Sequence, residues 1–135
     1  MVLFFMSRLD NKIENFNNAV KRLQEAIVEF KKDESNTLIQ DALIQRFEFT
    51  FELSWKTTKD YLIEKGVKDD ISFPKDVLKE AFANGMITND DQWLSMLKAR
   101  NITSHIYDSE TASKIAKKIA NDYIAAFMEL HTYFS

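Results

Sequence analysis

The sequence predicts an all-α fold, an antiparallel four-helix bundle with one extra short helix, and three observations carry that expectation. Two glycines and one proline in 135 residues leave little material for tight turns, against the roughly 12% that an average chain devotes to these two residues. Apolar residues recur at alternating spacings of three and four over most of the length, which is the signature of helices with one face turned inward. The few breakers fall far apart, so the segments between them are long. A chain of this size is one domain and can bury a core without disulfide or metal staples.

The elements follow in order. Leu9, Ile13, Phe16, Val20, Leu23, Ile27 and Phe30 form the seam of a first helix from Leu9 to Lys32. Asp33 to Asn36 is a polar break in which Asn36 or Thr37 can cap the next helix. The second helix runs from Leu38 to Lys65 and stops at Gly66, where a positive φ is least costly. It carries two apolar stripes, Leu43, Phe47, Phe51 and Thr58 on one side and Ala42, Phe49 and Leu53 on the other. A helix apolar on two sides needs partners on two sides, either as the centre of the bundle or as a subunit interface. Pro74 suits the first turn of a short helix that reaches Asn84 and is stopped by Gly85. Thr88 to Asp91 supplies caps and first-turn acids for a fourth helix bearing Trp93, Leu94 and Leu97. Asp108 or Ser109 starts a last helix whose inward side is Ile115, Ile119, Tyr123, Ala126, Phe127 and Leu130.

With 45% hydrophobic and 29% charged residues the composition is that of an ordinary globule. No cysteine is present, so disulfides, thiolate nucleophiles and cysteine zinc sites are excluded together, and a cytoplasmic home fits. The apolar run Val2 to Met6 is too short to span a membrane. Residues 1–8 are expected to be a mobile leader, and residues 9–134 the single helical domain. A net charge of −3 and an isoelectric point near 5.4 mean that a polyanion must be met by a local patch.

Most catalytic signatures are missing: there is no P-loop, no glycine-rich dinucleotide turn, no His-Glu-x-x-His and no EF-hand loop. The acid pairs Asp69–Asp70 and Asp90–Asp91 sit in connectors or helix starts, where solvation and capping account for them, so no metal centre and no cofactor are expected. His131 reads as a packing or surface histidine. Trp55, Phe49 and Phe51, at helical spacing, read as core or interface rather than as a platform for stacked bases. The informative stretch is Lys98 to Asp108, where polar and titratable groups crowd the end of one helix and the start of the next. In an unbroken helix Arg100 and His105 differ by about 140°, so their convergence requires a break near Ser104 or a second subunit. An arginine and a histidine at a helix end also serve simply to satisfy carbonyls and the helix dipole.

The segment 43–56, Leu-Ile-Gln-Arg-Phe-Glu-Phe-Thr-Phe-Glu-Leu-Ser-Trp-Lys, followed by 100–107, Arg-Asn-Ile-Thr-Ser-His-Ile-Tyr, resembles the nucleotidyltransferase substrate-binding protein family, a branch of the HEPN group of helical domains. The likeness runs from Leu9 to Leu130 and takes in Pro74, Ala81 to Gly85, Trp93 and Leu94. It implies a dimerising four-helix bundle encoded beside a separate small nucleotidyltransferase. HEPN toxins carry an arginine and a histidine with four to six residues between them and cleave RNA without metal, and Arg100 and His105 match that pattern with four. In one toxin–antitoxin branch a tyrosine follows two residues after the histidine and receives AMP groups from a minimal nucleotidyltransferase antitoxin. Tyr107 matches it.

The residue types suit those roles. Histidine exchanges protons near neutral pH and can take one from an RNA 2′-hydroxyl. A planar guanidinium holds a phosphate better than a lysine point charge. Asn101 can orient the imidazole or bind phosphate, or simply close a helix end. Lys98, Lys114, Lys117 and Lys118 cluster around the motif and, doubled across a homodimer, can make an RNA-binding groove; they equally suit a solvated helix face. The chain is not itself the nucleotidyltransferase, since it lacks the Gly-Ser element and the spaced aspartate pair. The competing expectation is a non-catalytic adaptor that binds the nucleotidyltransferase and presents a substrate to it. Neither reading involves a membrane.

Overall fold

A computed structural model of the chain describes residues 7–105 and 108–135. Six α-helices follow one another: α1 (Arg8–Lys32), α2 (Thr37–Glu64), α3 (Pro74–Ala83), α4 (Asp90–Thr103), α5 (Ser109–Lys118) and α6 (Ile124–Tyr133). A π-helical turn, Ile119–Tyr123, joins α5 to α6. Among the described residues there is no strand. The short α3 packs on α2 and α4, while α1, α2, α4 and the α5–α6 rod form the four long members of the bundle.

Local chemistry fixes the ends. Ser7 and Asp10 form a reciprocal capping box, Ser7 Oγ accepting from the Asp10 N–H at 3.0 Å, so the first turn of α1 includes Arg8. Asn36, rather than Thr37, caps α2 by accepting from the Leu38 and Ile39 N–H groups. Asn89 caps α4 and Asp108 caps α5. Thr88 instead donates its N–H and hydroxyl to Glu129 of α6, at 2.8 and 2.6 Å. Gly66 and Gly85 end α2 and α3 with φ of 70° and 73°, as their positions in the sequence predict.

The core is aromatic. Phe16, Phe30, Phe47, Phe51, Trp93 and Phe127 are fully buried. Phe47 of α2 stacks on Tyr123 at 5.6 Å, and Trp93 of α4 meets Phe127 edge-on at 5.6 Å. Every residue expected on the inward side of the last helix is buried. That segment nevertheless is not one uniform α-helix: the Ile124 N–H reaches back to the Ile119 carbonyl across five residues. The wide turn carries Tyr123, whose ring lies on Phe47 and whose hydroxyl is 2.8 Å from Ser95 Oγ. Apolar periodicity records which residues face inward but not such ring and hydroxyl placements.

The first stripe of α2 is in the core, Leu43, Phe47 and Phe51 being inaccessible. Of the second stripe, Leu53 is half-buried, while Ala42 and Phe49 lie open on the surface, Phe49 at 62% exposure. Leu53 packs against the core, so only the Ala42–Phe49 part of that face is left open.

Candidate functional site

Arg100 lies in the last turn of α4 and turns toward α2, on which Glu48 and Glu52 stand one helical turn apart and share a face. Its Nη1 donates to Glu48 Oε2 at 3.1 Å. Its Nε is 3.4 Å from Glu52 Oε1, buried and off-line for a hydrogen bond, so that contact is Coulombic. The Thr103 hydroxyl is shared between Glu48 Oε2 at 2.9 Å and the Arg100 carbonyl at 2.8 Å. Glu52 is braced in turn by the Trp55 indole N–H at 3.3 Å and the Lys56 amine at 3.5 Å.

The guanidinium opens onto a cleft of about 460 Å³ between α1 and α2, lined also by Arg22, Gln45, Arg46 and the exposed ring of Phe49. Arg46 is anchored across this cleft to the Arg22 carbonyl at 2.7 Å. The sequence motif therefore supplies one member of a larger constellation: Arg100 with two carboxylates and a hydroxyl. Glu48, Glu52 and Thr103 received no role from the sequence, although two acids spaced by four within a strongly apolar helix are a usable signal that a cation faces them.

The remaining motif residues occupy different surroundings. His105 is exposed in the turn that follows α4, its backbone N–H bonded to the Ile102 carbonyl at 2.9 Å. It does not line the Arg100 cleft. Asn101 and Lys98 are exposed on α4. Tyr107 lies outside the described residues. On α5, Lys114 pairs with Glu110 at 3.3 Å, Lys118 is exposed, and Lys117 borders a separate cleft of about 400 Å³ with Ser35, Thr37, Ser109 and Ser113. None of the three α5 lysines lines the Arg100 cleft. His131 joins α6 to α1 through Asn17, Nδ1 to Oδ1 at 2.7 Å. Among the described residues no cluster of acids and histidines is placed to hold a metal ion, and no helix is long and apolar enough to cross a membrane.

The bundle, with the end of α4 delivering an arginine to the carboxylates of α2, has the fold of a nucleotidyltransferase substrate-binding domain. Residues 11–135 match the family described as nucleotidyltransferase substrate binding protein like, and the chain belongs to that family. A Haemophilus influenzae structure, described as revealing the fold of a substrate-binding domain of a nucleotidyltransferase, superimposes with a TM-score of 0.78 at 30% identity, over 90% of this chain and 98% of that one. A tri-AMPylated Shewanella oneidensis HEPN toxin, solved in complex with an MNT antitoxin, shares the fold with a TM-score of 0.74 at 19% identity, over 95% of this chain and 97% of that one. A Haemophilus influenzae protein named probable ribonuclease HepT is 39% identical over 94 residues, a match that spans 64% of this chain and 64% of that relative's length.

Proposed function

We propose that the chain is the toxin of a toxin–antitoxin pair, a metal-independent RNA endonuclease that works as a homodimer. A minimal nucleotidyltransferase silences it by transferring AMP to Tyr107. The observation that carries this reading is the placement of Arg100: a guanidinium held at a cleft, five residues before a histidine exposed in the turn that follows α4. The 39% identical relative named as a probable ribonuclease supports it.

In this scheme His105 accepts the proton of an RNA 2′-hydroxyl, and the oxygen attacks the adjacent phosphorus. The 5′-oxygen leaves as it takes a proton from the imidazolium of the second protomer, and the product ends in a 2′,3′-cyclic phosphate. Arg100 offsets the charge that builds on the phosphoryl oxygens. One protomer offers a single histidine at the motif, so the dimer is what provides both an acid and a base. AMP on Tyr107 would bring bulk and negative charge to the same place and exclude an RNA phosphate.

A second reading, a non-catalytic adaptor for the nucleotidyltransferase, is favoured by the pairing of Arg100 with two carboxylates, which lowers the net positive charge available to a phosphate. Expression of the chain alone separates the two. The toxin reading expects growth arrest relieved by His105→Ala, and cleavage of RNA by purified protein in the presence of a chelator. RNA left intact by a protein that binds the nucleotidyltransferase tightly selects the adaptor.

A further inference from the structure

We infer that Glu48 is a positioning residue: it sets the direction of the Arg100 guanidinium and ties it to the end of α4 that bears His105. The inference deepens the ribonuclease reading and rests on it for its catalytic consequence.

A guanidinium has five N–H donors in a fixed plane. Glu48 takes one from Nη1 at 3.1 Å, and Glu52 lies 3.4 Å from Nε. The hydrogen bond to Glu48 holds the Nη1 side, the Glu52 charge lies near Nε, and Nη2 with its two N–H groups has no hydrogen-bond partner among the described residues and is left for a phosphate. An unclamped arginine on the rim of a cleft would sample many rotamers, and ordering them would be charged against binding in the transition state. Glu48 contributes a second constraint. The same Oε2 that holds Arg100 lies 2.9 Å from the Thr103 hydroxyl, in the final residue of α4. His105 follows two residues later, in the turn. One carboxylate of α2 thus fixes both the arginine and the place where the helix releases the chain toward the histidine. Glu52 is itself held by Trp55 and Lys56, so the clamp is anchored along a full turn of α2.

Glu48 faces Arg100 and Thr103 from α4, and in this role it acts only as a hydrogen-bond acceptor. Glu48→Gln therefore keeps a carbonyl oxygen able to accept from both partners, whereas Glu48→Ala removes the acceptor. The direct readout is the side-chain Nε–H signal of Arg100 by NMR, which reports its ordering whether or not RNA is cleaved. Slow solvent exchange is expected in the wild-type protein, about tenfold or more faster exchange in Glu48→Ala, and recovery to within about twofold in Glu48→Gln. The catalytic readout is single-turnover cleavage of a short RNA. Glu48→Ala is expected to lower kcat by about tenfold or more with RNA affinity unchanged or raised, because a negative charge has been removed. In the Arg100→Ala background Glu48→Ala should then cost nothing further, within about twofold.

Fast Arg100 exchange in the wild-type protein, no change in Glu48→Ala, or full independent loss in the double variant each overturns the inference. A Glu48→Gln protein as inactive as Glu48→Ala, with Arg100 still ordered, also overturns it, since that result makes the carboxylate a proton acceptor. A wild-type protein that leaves RNA intact defeats the ribonuclease reading alone, and the NMR result still decides the clamp.

Discussion

Glu48 and Arg100, fifty-two positions apart in the chain, meet at 3.1 Å across the seam of α2 and α4. Both side chains are about one-quarter exposed, 27% each, so the pair is neither a loose surface bridge nor a desolvated one. The contact joins the two sequence segments that carry the family likeness, the acid-bearing stretch of α2 and the arginine-to-histidine stretch of α4.

Phe47 touches Phe51, Tyr123 and Phe127 and is inaccessible to solvent. Truncation to alanine leaves a hole among rings held by three elements. Phe47→Ala is expected to lower unfolding stability by about 3–5 kcal/mol, read as a shift in the urea midpoint.

Gly66 has φ of 70°, and a Cβ built there meets nothing within 4 Å. Any cost of Gly66→Ala is therefore conformational and not steric. Forcing alanine into the left-handed region costs about 1–2 kcal/mol, offset in part by the lower entropy of the unfolded chain. A net loss of about 1 kcal/mol by chemical denaturation is expected, and the same substitution at Gly85, also free of neighbours, should behave alike.

Asp108 caps α5, and its carboxyl lies below the ordinary value of 3.8, first because the Thr111 backbone N–H donates to it and then because the Thr111 hydroxyl does. A carboxyl depressed in the folded state contributes stability above its unfolded pKa and loses it as pH falls through the folded value. The melting-temperature difference between the wild-type protein and Asp108→Ala should hold at about pH 5 and narrow toward about pH 2. A difference independent of pH over that range would show that the charged form is not the one that caps.

Phe49, at 62% exposure on the open stripe of α2, is a large ring that the proposed homodimer would bury. Phe49→Asp is expected to sediment as a monomer while keeping the helical circular dichroism of the wild-type protein. Unchanged sedimentation would place the subunit contact elsewhere.

The modification assigned to Tyr107 gives a separate expectation. Tyr107→Phe should still cleave RNA but resist silencing, since the phenol oxygen that would accept AMP is gone. Incorporation of labelled AMP at the wild-type level by the nucleotidyltransferase would refute the assignment.

Much of the architecture is legible in the order of the residues. Leu9 to Phe30 and Ile115 to Leu130 mark inward faces because a helix repeats every 3.6 residues, and nearly all of those residues are buried. Gly66, Pro74 and Gly85 mark ends because each has a backbone preference that holds wherever it stands. The motif residues Arg100 and His105 stand out in the sequence through the family resemblance, since their type and spacing alone equally suit a helix end. The partners of Arg100 do not, because Glu48 and Glu52 become its neighbours only when α2 and α4 pack, and periodicity is silent on which helix faces which. The π-helical turn at Ile119–Tyr123 escaped for the same reason, since the ring of Phe47 and the hydroxyl of Ser95 meet Tyr123 from distant parts of the chain. Local preferences are written in short stretches of residues and survive without tertiary context. The arrangement of charge at a site is a property of distances between segments, and only packing sets those.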